Sequence, residues 1–375
     1  MTNHVTQTKV GTATGLRIST RDTFHKVPAA PPRASMQKSI LPEPVPVVDL
    51  IEAFRRSKAM FAAVSLGVFD LLEQGPNDLQ TLASSLEVNA DALERLLDSC
   101  VSLGFLKNAQ ARYSNLPVAS SYLVRSSPNT LVGYILYSNA ALYPLWGHLE
   151  DAVREGTHRW KQTFGTDQPI YDHFFKTDQA RRDFLLGMHG FGQISSPAVV
   201  AAVDLSRFKR LVDLGGATGH LTVAACARYR SLRATVFDLP ATIKVAREFI
   251  ERAGFKDRIE LIPGDFFRDP LPEADLYSVG RILHDWSEQK IRRLLGKVYD
   301  SLPRRGALLV AERLLDEDKA GPVASLMQSL SMLVCTEGKE RTLSEYSALL
   351  KDAGFAEIQG YRTGAPLDAV LAVKG

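Results

Sequence analysis

Residues 211–219 read Leu-Val-Asp-Leu-Gly-Gly-Ala-Thr-Gly, and 25 residues beyond Asp213 a second apolar run, Thr235-Val-Phe-Asp238, ends in an acid. The pairing describes a nucleotide cradle. A buried strand runs into a glycine turn at Gly215, Gly216 and Gly219, the turn opens a helix, and the next strand tip offers a carboxylate to a ribose. Glycine suits the turn because a side chain would block close approach of a ligand to the backbone. Tight strand–helix turns also occur for packing, and further strand tips strengthen the reading.

The rest of the C-terminal half keeps the rhythm. Residues 241–253 have helical spacing, with Ile243, Ala246 and Ile250 on one side and Gly254 as a stop. Short strands follow at 259–262, 275–279 and 307–311, and a last one at 368–373 is expected to close the sheet. Thr342-Leu-Ser-Glu345 reads as a capping box opening a helix that stops at Gly354. Alternation of this kind predicts an α/β fold with helices on both faces of the sheet. Ligands of such sheets bind outside the carboxyl ends of the strands. Those ends carry Gly215–Gly219, Asp238, Asp265, His284 and Glu312, a concentration at one edge that marks an active site.

The turn also narrows the nucleotide. A nicotinamide cofactor expects G-x-G-x-x-G, but aligning Gly216 and Gly219 with the last two glycines puts Leu214 at the first. Asp213 adds an acid just before the turn. The combination suits S-adenosyl-L-methionine, whose sulfonium and ammonium are cationic and which carries no pyrophosphate. Asp238 would take the ribose hydroxyls, and Asp265 with Phe266 would hold the adenine. No metal is expected: no His/Cys cluster has ligand spacing, and the acids are dispersed over strand tips.

The N-terminal half reads differently. Residues 1–46 carry six Lys/Arg against two acids and few large apolar residues, the composition of a disordered arm. An amphipathic helix starts near Val48, with Leu50, Ile51, Phe54 and Phe61 at helical spacing. Residues 66–106 read as short helices, and Tyr113 opens a second wing strand, which is a winged-helix pattern. That pattern raises DNA binding, yet over 66–106 seven acids face one arginine, a net charge of −6. A DNA reader needs cations against phosphates, so no nucleic-acid partner is expected. Residues 130–200 are rich in aromatics, among them Tyr134, Tyr137, Trp160, Phe184 and Phe191. Most should pack, and some should line an apolar cleft for a flat small ligand. His148, His158, His173, His189 and His220 show no partner pattern and read as surface or packing residues. The 375 residues allow two domains, drawn at 47–165 and 166–375. Three isolated cysteines point to a reduced, cytoplasmic setting, and no apolar run is long enough for a membrane.

Residues from about 48 to 375 resemble the plant-type small-molecule O-methyltransferases, most of all the hydroxyindole branch that includes acetylserotonin O-methyltransferase and its like proteins. The resemblance is carried by Asp213-Leu-Gly-Gly-Ala-Thr-Gly219, the run Gly264 to Tyr277, Arg281-Ile-Leu-His-Asp-Trp286, Leu314-Leu-Asp-Glu-Asp318 and Thr336-Glu-Gly-Lys-Glu-Arg-Thr342. It implies a Rossmann-like S-adenosylmethionine-dependent methyltransferase sheet with an N-terminal α-helical winged-helix dimerisation domain, hence a homodimer. It further implies that His284 is the general base, with Asp285 beside it and Glu312 and Glu340 flanking the imidazole. Gly264 and Arg281 would join the cofactor site. The implied reaction is methylation of a hydroxyl on a small aromatic acceptor. A nitrogen or aliphatic hydroxyl acceptor on the same fold stays open, as does, more remotely, a non-enzymatic winged-helix sensor. The branch is expected to offer the acceptor an Asn and a Gln where this chain has Ser331 and Cys335. A cofactor-stacking Tyr and Trp upstream are replaced by Phe175 and Gly192.

Overall fold

The computed structural model describes residues 42–166 and 177–375. Its centre is a seven-stranded sheet: β1 (Arg210–Leu214), β2 (Arg233–Asp238), β3 (Ile259–Pro263), β4 (Leu276–Gly280), β5 (Ala307–Glu312), β6 (Phe355–Tyr361) and β7 (Asp368–Lys374). The order across the sheet is β6-β7-β5-β4-β1-β2-β3. The strands from β5 to β3 run parallel, and β7 lies antiparallel between β5 and β6.

Side-chain alternation explains why both faces are covered. Along β5, Leu309 and Ala311 join one apolar cluster, whereas Leu308 and Val310 join the other. Successive residues of a strand point to opposite faces, so an unbroken apolar run can only be an interior strand. Full burial of each such Leu or Val stabilises by roughly 1.5–3 kcal/mol. The longer helices are α1 (Val45–Leu66), α2 (Ala90–Ser102), α3 (Asp178–Ala202), α4 (His220–Arg228), α5 (Pro240–Arg252), α6 (Glu288–Ser301), α7 (Val323–Cys335) and α8 (Leu343–Asp352). The capping box of α8 forms as expected: Thr342 Oγ1 accepts from Glu345 N at 3.1 Å, and Glu345 Oε2 accepts from Thr342 N at 2.9 Å.

The chain lays β1, β2 and β3 outward on one side, then returns to place β4 on the other side of β1. A crevice therefore opens between the carboxyl ends of β1 and β4, the switch point where ligands of such sheets bind. The sequence reading of the sheet differs at one edge. The strand at 368–374 does not close the sheet; it pairs with β5 on one side and with β6 on the other. Strand β6 was missed because it is an edge strand. Glu357 and Gln359 are exposed, so its apolar signal is thin.

Residues 66–115 fold as short helices and a small sheet. Strands Leu106–Ala109 and Arg112–Asn115 pair as a hairpin, and Asn77–Asp78 adds to it. Asn89 caps α2 by accepting from Ala92 N at 3.0 Å. The acids of α2 are partly spent inside the domain: Asp98 accepts from Tyr113 Oη at 2.9 Å, and Asp91 pairs with Arg95 at 2.6 Å.

The boundary drawn at 165/166 adjoins residues 167–176, which lie outside the described residues, as do Phe175 and His173. Close packing nevertheless runs across that point in the sequence. Helix Val132–Tyr137 crosses α3 at paired glycines, where a Cβ on Gly133 would sit 2.6 Å from Gly187 N. Only glycine allows two helix backbones this close. Further along, Trp160 Nε1 donates to Cys335 O at 2.6 Å and Arg159 N donates to Val334 O at 3.0 Å, which seats the end of α7.

Candidate active site

A cavity runs along the carboxyl edge of the sheet. Its floor is the glycine turn. Gly215 N donates to Phe237 O at 2.8 Å, tying the turn to β2. Asp238 braces it from the neighbouring strand tip, Oδ2 accepting from Ala217 N at 2.8 Å and Oδ1 from Leu239 N at 2.7 Å. Beneath lies Asp213, 2 % exposed, which accepts from Ser278 Oγ at 2.6 Å. Burial pushes the Asp213 carboxyl up to about 7, against the Ser278 hydrogen bond. Burial also raises Asp238, against its bonds from Ala217 and Leu239. Two buried acids starved of solvation favour a ligand that brings positive charge or hydroxyl donors. Asp265 and Phe266 extend this wall, with Asp265 Oδ1 accepting from Phe267 N at 2.8 Å.

The other end is built around His284. After β4 the chain turns sharply at Arg281, whose φ is 56°, and enters the short 3-10 turn Leu283–Asp285. Glu312, the last residue of β5, fixes that turn: its Oε1 accepts from Ile282 N and Leu283 N, both at 2.9 Å. Its Oε2 lies 3.4 Å from His284 Nδ1. Glu340 Oε1 accepts from the same Nδ1 at 2.6 Å. The loop carrying Glu340 can approach because residue 338 is glycine; a Cβ there would fall 2.2 Å from His284 O. Asp285 Oδ1 is 3.6 Å from His284 Nε2. The Glu312 and Glu340 side chains have no solvent exposure. Burial alone would penalise the imidazolium, but Glu312, Glu340 and Asp285 outweigh it and raise His284 to about 9. Burial raises Glu312 in turn, with the imidazole opposing and Glu340 adding to the rise.

Of the residues singled out in the sequence, Asp213, Gly215, Gly216, Asp238, Gly264, Asp265, Phe266, Arg281, His284, Asp285 and Ser331 line this one cavity. Gly219, Glu312, Glu340 and Cys335 stand behind it. Gly219 starts α4 at φ 80°, packed against Ile250 and Val236. Glu312 and Glu340 support the imidazole from below. Cys335 is buried with Tyr137, Leu145 and Trp160, its Sγ 3.9 Å from Ser331 Oγ.

Sequence reasoning set His220 aside as a packing residue, yet it lines the cavity together with Thr242, Tyr137 and Gln328. For His220 the signal was its place directly after Gly219. Tyr137 is among the aromatics expected at an apolar cleft, whereas Gln328 had no signal, since long-range packing brings it in. The fold gathers His284, Glu312 and Glu340, with one ligand-type atom from each within 4.8 Å of the others.

The three acids make a testable electrostatic claim. An imidazole must be neutral to accept a proton, so a base at position 284 would be favoured as pH rises through its pKa. Removing the Glu340 charge takes away support for the imidazolium and lowers the histidine pKa. In Glu340→Gln the acidic limb of the kcat/KM profile therefore moves to lower pH, with a lower plateau. An unmoved limb would show that Glu340 does not act on His284.

Comparison with known proteins places this geometry. Residues 146–356 match the O-methyltransferase domain family, and residues 48–125 match the O-methyltransferase dimerisation domain. Acetylserotonin O-methyltransferase of Bos taurus is 42 % identical over 333 residues, covering 87 % of this chain and 96 % of that protein. A Homo sapiens protein described as a probable bifunctional dTTP/UTP pyrophosphatase/methyltransferase is 40 % identical over 341 residues. This chain covers 55 % of its length, and the match takes in 90 % of this chain. The crystal structure of human N-acetylserotonin methyltransferase in complex with SAM superposes with a TM-score of 0.84 at 39 % identity, covering 91 % of this chain and all of that one. The fold expected from the sequence is thus the fold of a solved methyltransferase, and the chain belongs to the O-methyltransferase family.

Proposed function

We propose that the chain is an S-adenosyl-L-methionine-dependent O-methyltransferase acting on the hydroxyl of a small aromatic acceptor, phenolic or hydroxyindole-like. The observation that carries this reading is one cavity with two ends. Buried acids line the glycine-turn end, and an acid-backed histidine lines the other. When bound, S-adenosylmethionine supplies a methyl group on a cationic sulfur. The solvent-starved carboxyls of Asp213 and Asp238 suit its positive charge and its ribose hydroxyls, and Asp265 with Phe266 suits the adenine. Arg281 and Gly264 complete that end of the wall.

The apolar side chains Tyr137, Phe184, Met188 and Met332 line the cavity as well and fit a flat acceptor. His284 takes the acceptor's hydroxyl proton at Nε2, because Nδ1 is held by Glu340. A phenol has a pKa near ~10, well above that of an ordinary imidazole at ~6.5. Raising the histidine narrows that gap, and Glu340 with Glu312 holds the imidazolium that forms. Orientation of the acceptor oxygen does the remaining work, and the residues invoked need no metal.

Other features support the assembly and setting. Phe54 and Leu66 of α1 are 53 % and 42 % exposed, which supports a homodimer through the N-terminal domain. Light scattering should return twice the chain mass, and a monomer with full activity would refute the dimer. The three cysteines are free and buried, which supports the cytoplasmic setting read from the sequence. No helix of the described residues is long and apolar enough to cross a membrane.

Replacing His284 by Ala should lower turnover on a neutral phenol by roughly 10²–10⁴, the usual general-base contribution. Affinity for S-adenosylhomocysteine should stay near wild type. The assays should run with a metal chelator present. Near-normal turnover of the variant would put the base elsewhere, and loss of wild-type activity to the chelator would assign the cluster at 284, 312 and 340 to a metal.

The acceptor end differs from the pattern expected of the acetylserotonin branch. Ser331 has a short hydroxyl, 3.5 Å from Trp146 Nε1, and Cys335 stands behind the wall. Neither can bond an amide tail as Asn and Gln do, and a site lacking such partners loses discrimination. Acetylserotonin should therefore be outcompeted by a less polar phenol or hydroxyindole. The highest catalytic efficiency with acetylserotonin, in competition across a panel, would overturn this reading of positions 331 and 335.

A further inference from the structure

His220, passed over in the sequence, is held in place more firmly than packing requires. It is the first residue of α4, directly after the glycine turn. Its Nδ1 lies 2.8 Å from Ser196 Oγ, and Ser196 is 3 % exposed on α3. Its ring sits against the backbone of α3 at Gly192. A Cβ at residue 192 would fall 2.3–2.4 Å from Cγ, Cδ2 and Nδ1 of the imidazole. The ring and any side chain at 192 are therefore mutually exclusive. One turn earlier His189 Nδ1 lies 2.8 Å from Thr218 Oγ1. Helix α3 thus grips the segment 218–220 on both sides of the gap that Gly192 leaves.

The same imidazole lines the cavity, along with Gly216, Ala217, Asp238 and Thr242 of the cradle. Burial, with His189 and Arg281 adding to it, lowers its pKa to about 3. It stays uncharged at any working pH and does not compete for the negative charge of Asp213 and Asp238. Ser196 fixes one ring nitrogen, which leaves Nε2 as the polar atom a ligand can use.

We propose that His220 is a cofactor-binding residue of this chain, its imidazole seated in the space that Gly192 leaves open and forming part of the wall against S-adenosylmethionine. The proposal rests on the reading of the cavity as the site for that cofactor. In effect the chain supplies an aromatic ring to the cradle from the start of α4 where α3 has no side chain to give. Ser196 is then a positioning residue that acts through the ring.

Calorimetric titration with S-adenosylhomocysteine tests this without any acceptor. His220→Ala should weaken binding about tenfold or more, on the scale of one lost polar contact with its packing. Ser196→Ala, which leaves the ring in place, should weaken it less. In protein labelled with 15N-histidine, the His220 ring signals, identified by their absence from His220→Ala, should shift when S-adenosylhomocysteine is added. A loosened turn alone would not produce that signature. If the Ala variant does not fold, His220→Gln takes its place in the titration. Wild-type affinity in the folded variant, or ring signals that do not move, overturns the proposal. Failure of the wild-type protein to bind S-adenosylhomocysteine at all overturns the reading of the cavity instead.

Discussion

Glu312 is the residue on which the site's geometry turns. One carboxylate oxygen accepts from two successive backbone N–H groups, Ile282 and Leu283, and the other approaches the His284 ring. It thereby joins the end of β5 to the turn after β4 and sets where the imidazole stands. A carboxylate with no solvent exposure is costly unless it is well bonded, and these backbone donors meet much of that cost. Among the described residues, Glu312 Oε2 and Glu340 Oε2 have no hydrogen-bond partner of their own. The unspent negative charge falls on the histidine, which is why it is so basic for a buried group.

A parallel sheet makes this possible at little expense. Its strands end at one edge, and the change of chain direction between β1 and β4 leaves a crevice there. Acids placed at successive tips converge without any one of them needing an unusual backbone. Asp213, Asp238 and Glu312 are each the last or next-to-last residue of a strand. At this edge the left-handed backbone falls in the connecting turns, where Ala217 and Arg281 have φ of 48° and 56°.

This arrangement explains which parts were legible in the sequence. Six of the seven strands and the cradle could be read because their signals are local: an apolar run, a glycine turn, an acid at the tip. The grouping of His284 with its two glutamates came from a family resemblance, since nothing local links positions 284, 312 and 340. The fold supplies the link through a glycine at 338 and a shared edge. Strand β6 escaped because an edge strand needs few apolar residues. His220 escaped because its role depends on a missing side chain 28 residues earlier, at Gly192. The helical front half lends Tyr134 and Tyr137 to the cavity through glycine-mediated helix contact. The aromatic composition of 130–200 signalled such a lining, but which rings reach the cavity depends on that contact.

The central claim is that acids at one sheet edge hold a methyl donor against a hydroxyl whose proton His284 removes. It is tested most directly by following the methyl group. The protein is incubated with methyl-labelled S-adenosylmethionine and a panel of phenols and hydroxyindoles, and the products are resolved by mass. The account predicts label in an aryl methyl ether for at least one acceptor. Label found only on nitrogen, or no transfer to any aromatic hydroxyl by a protein that binds S-adenosylhomocysteine, would contradict it.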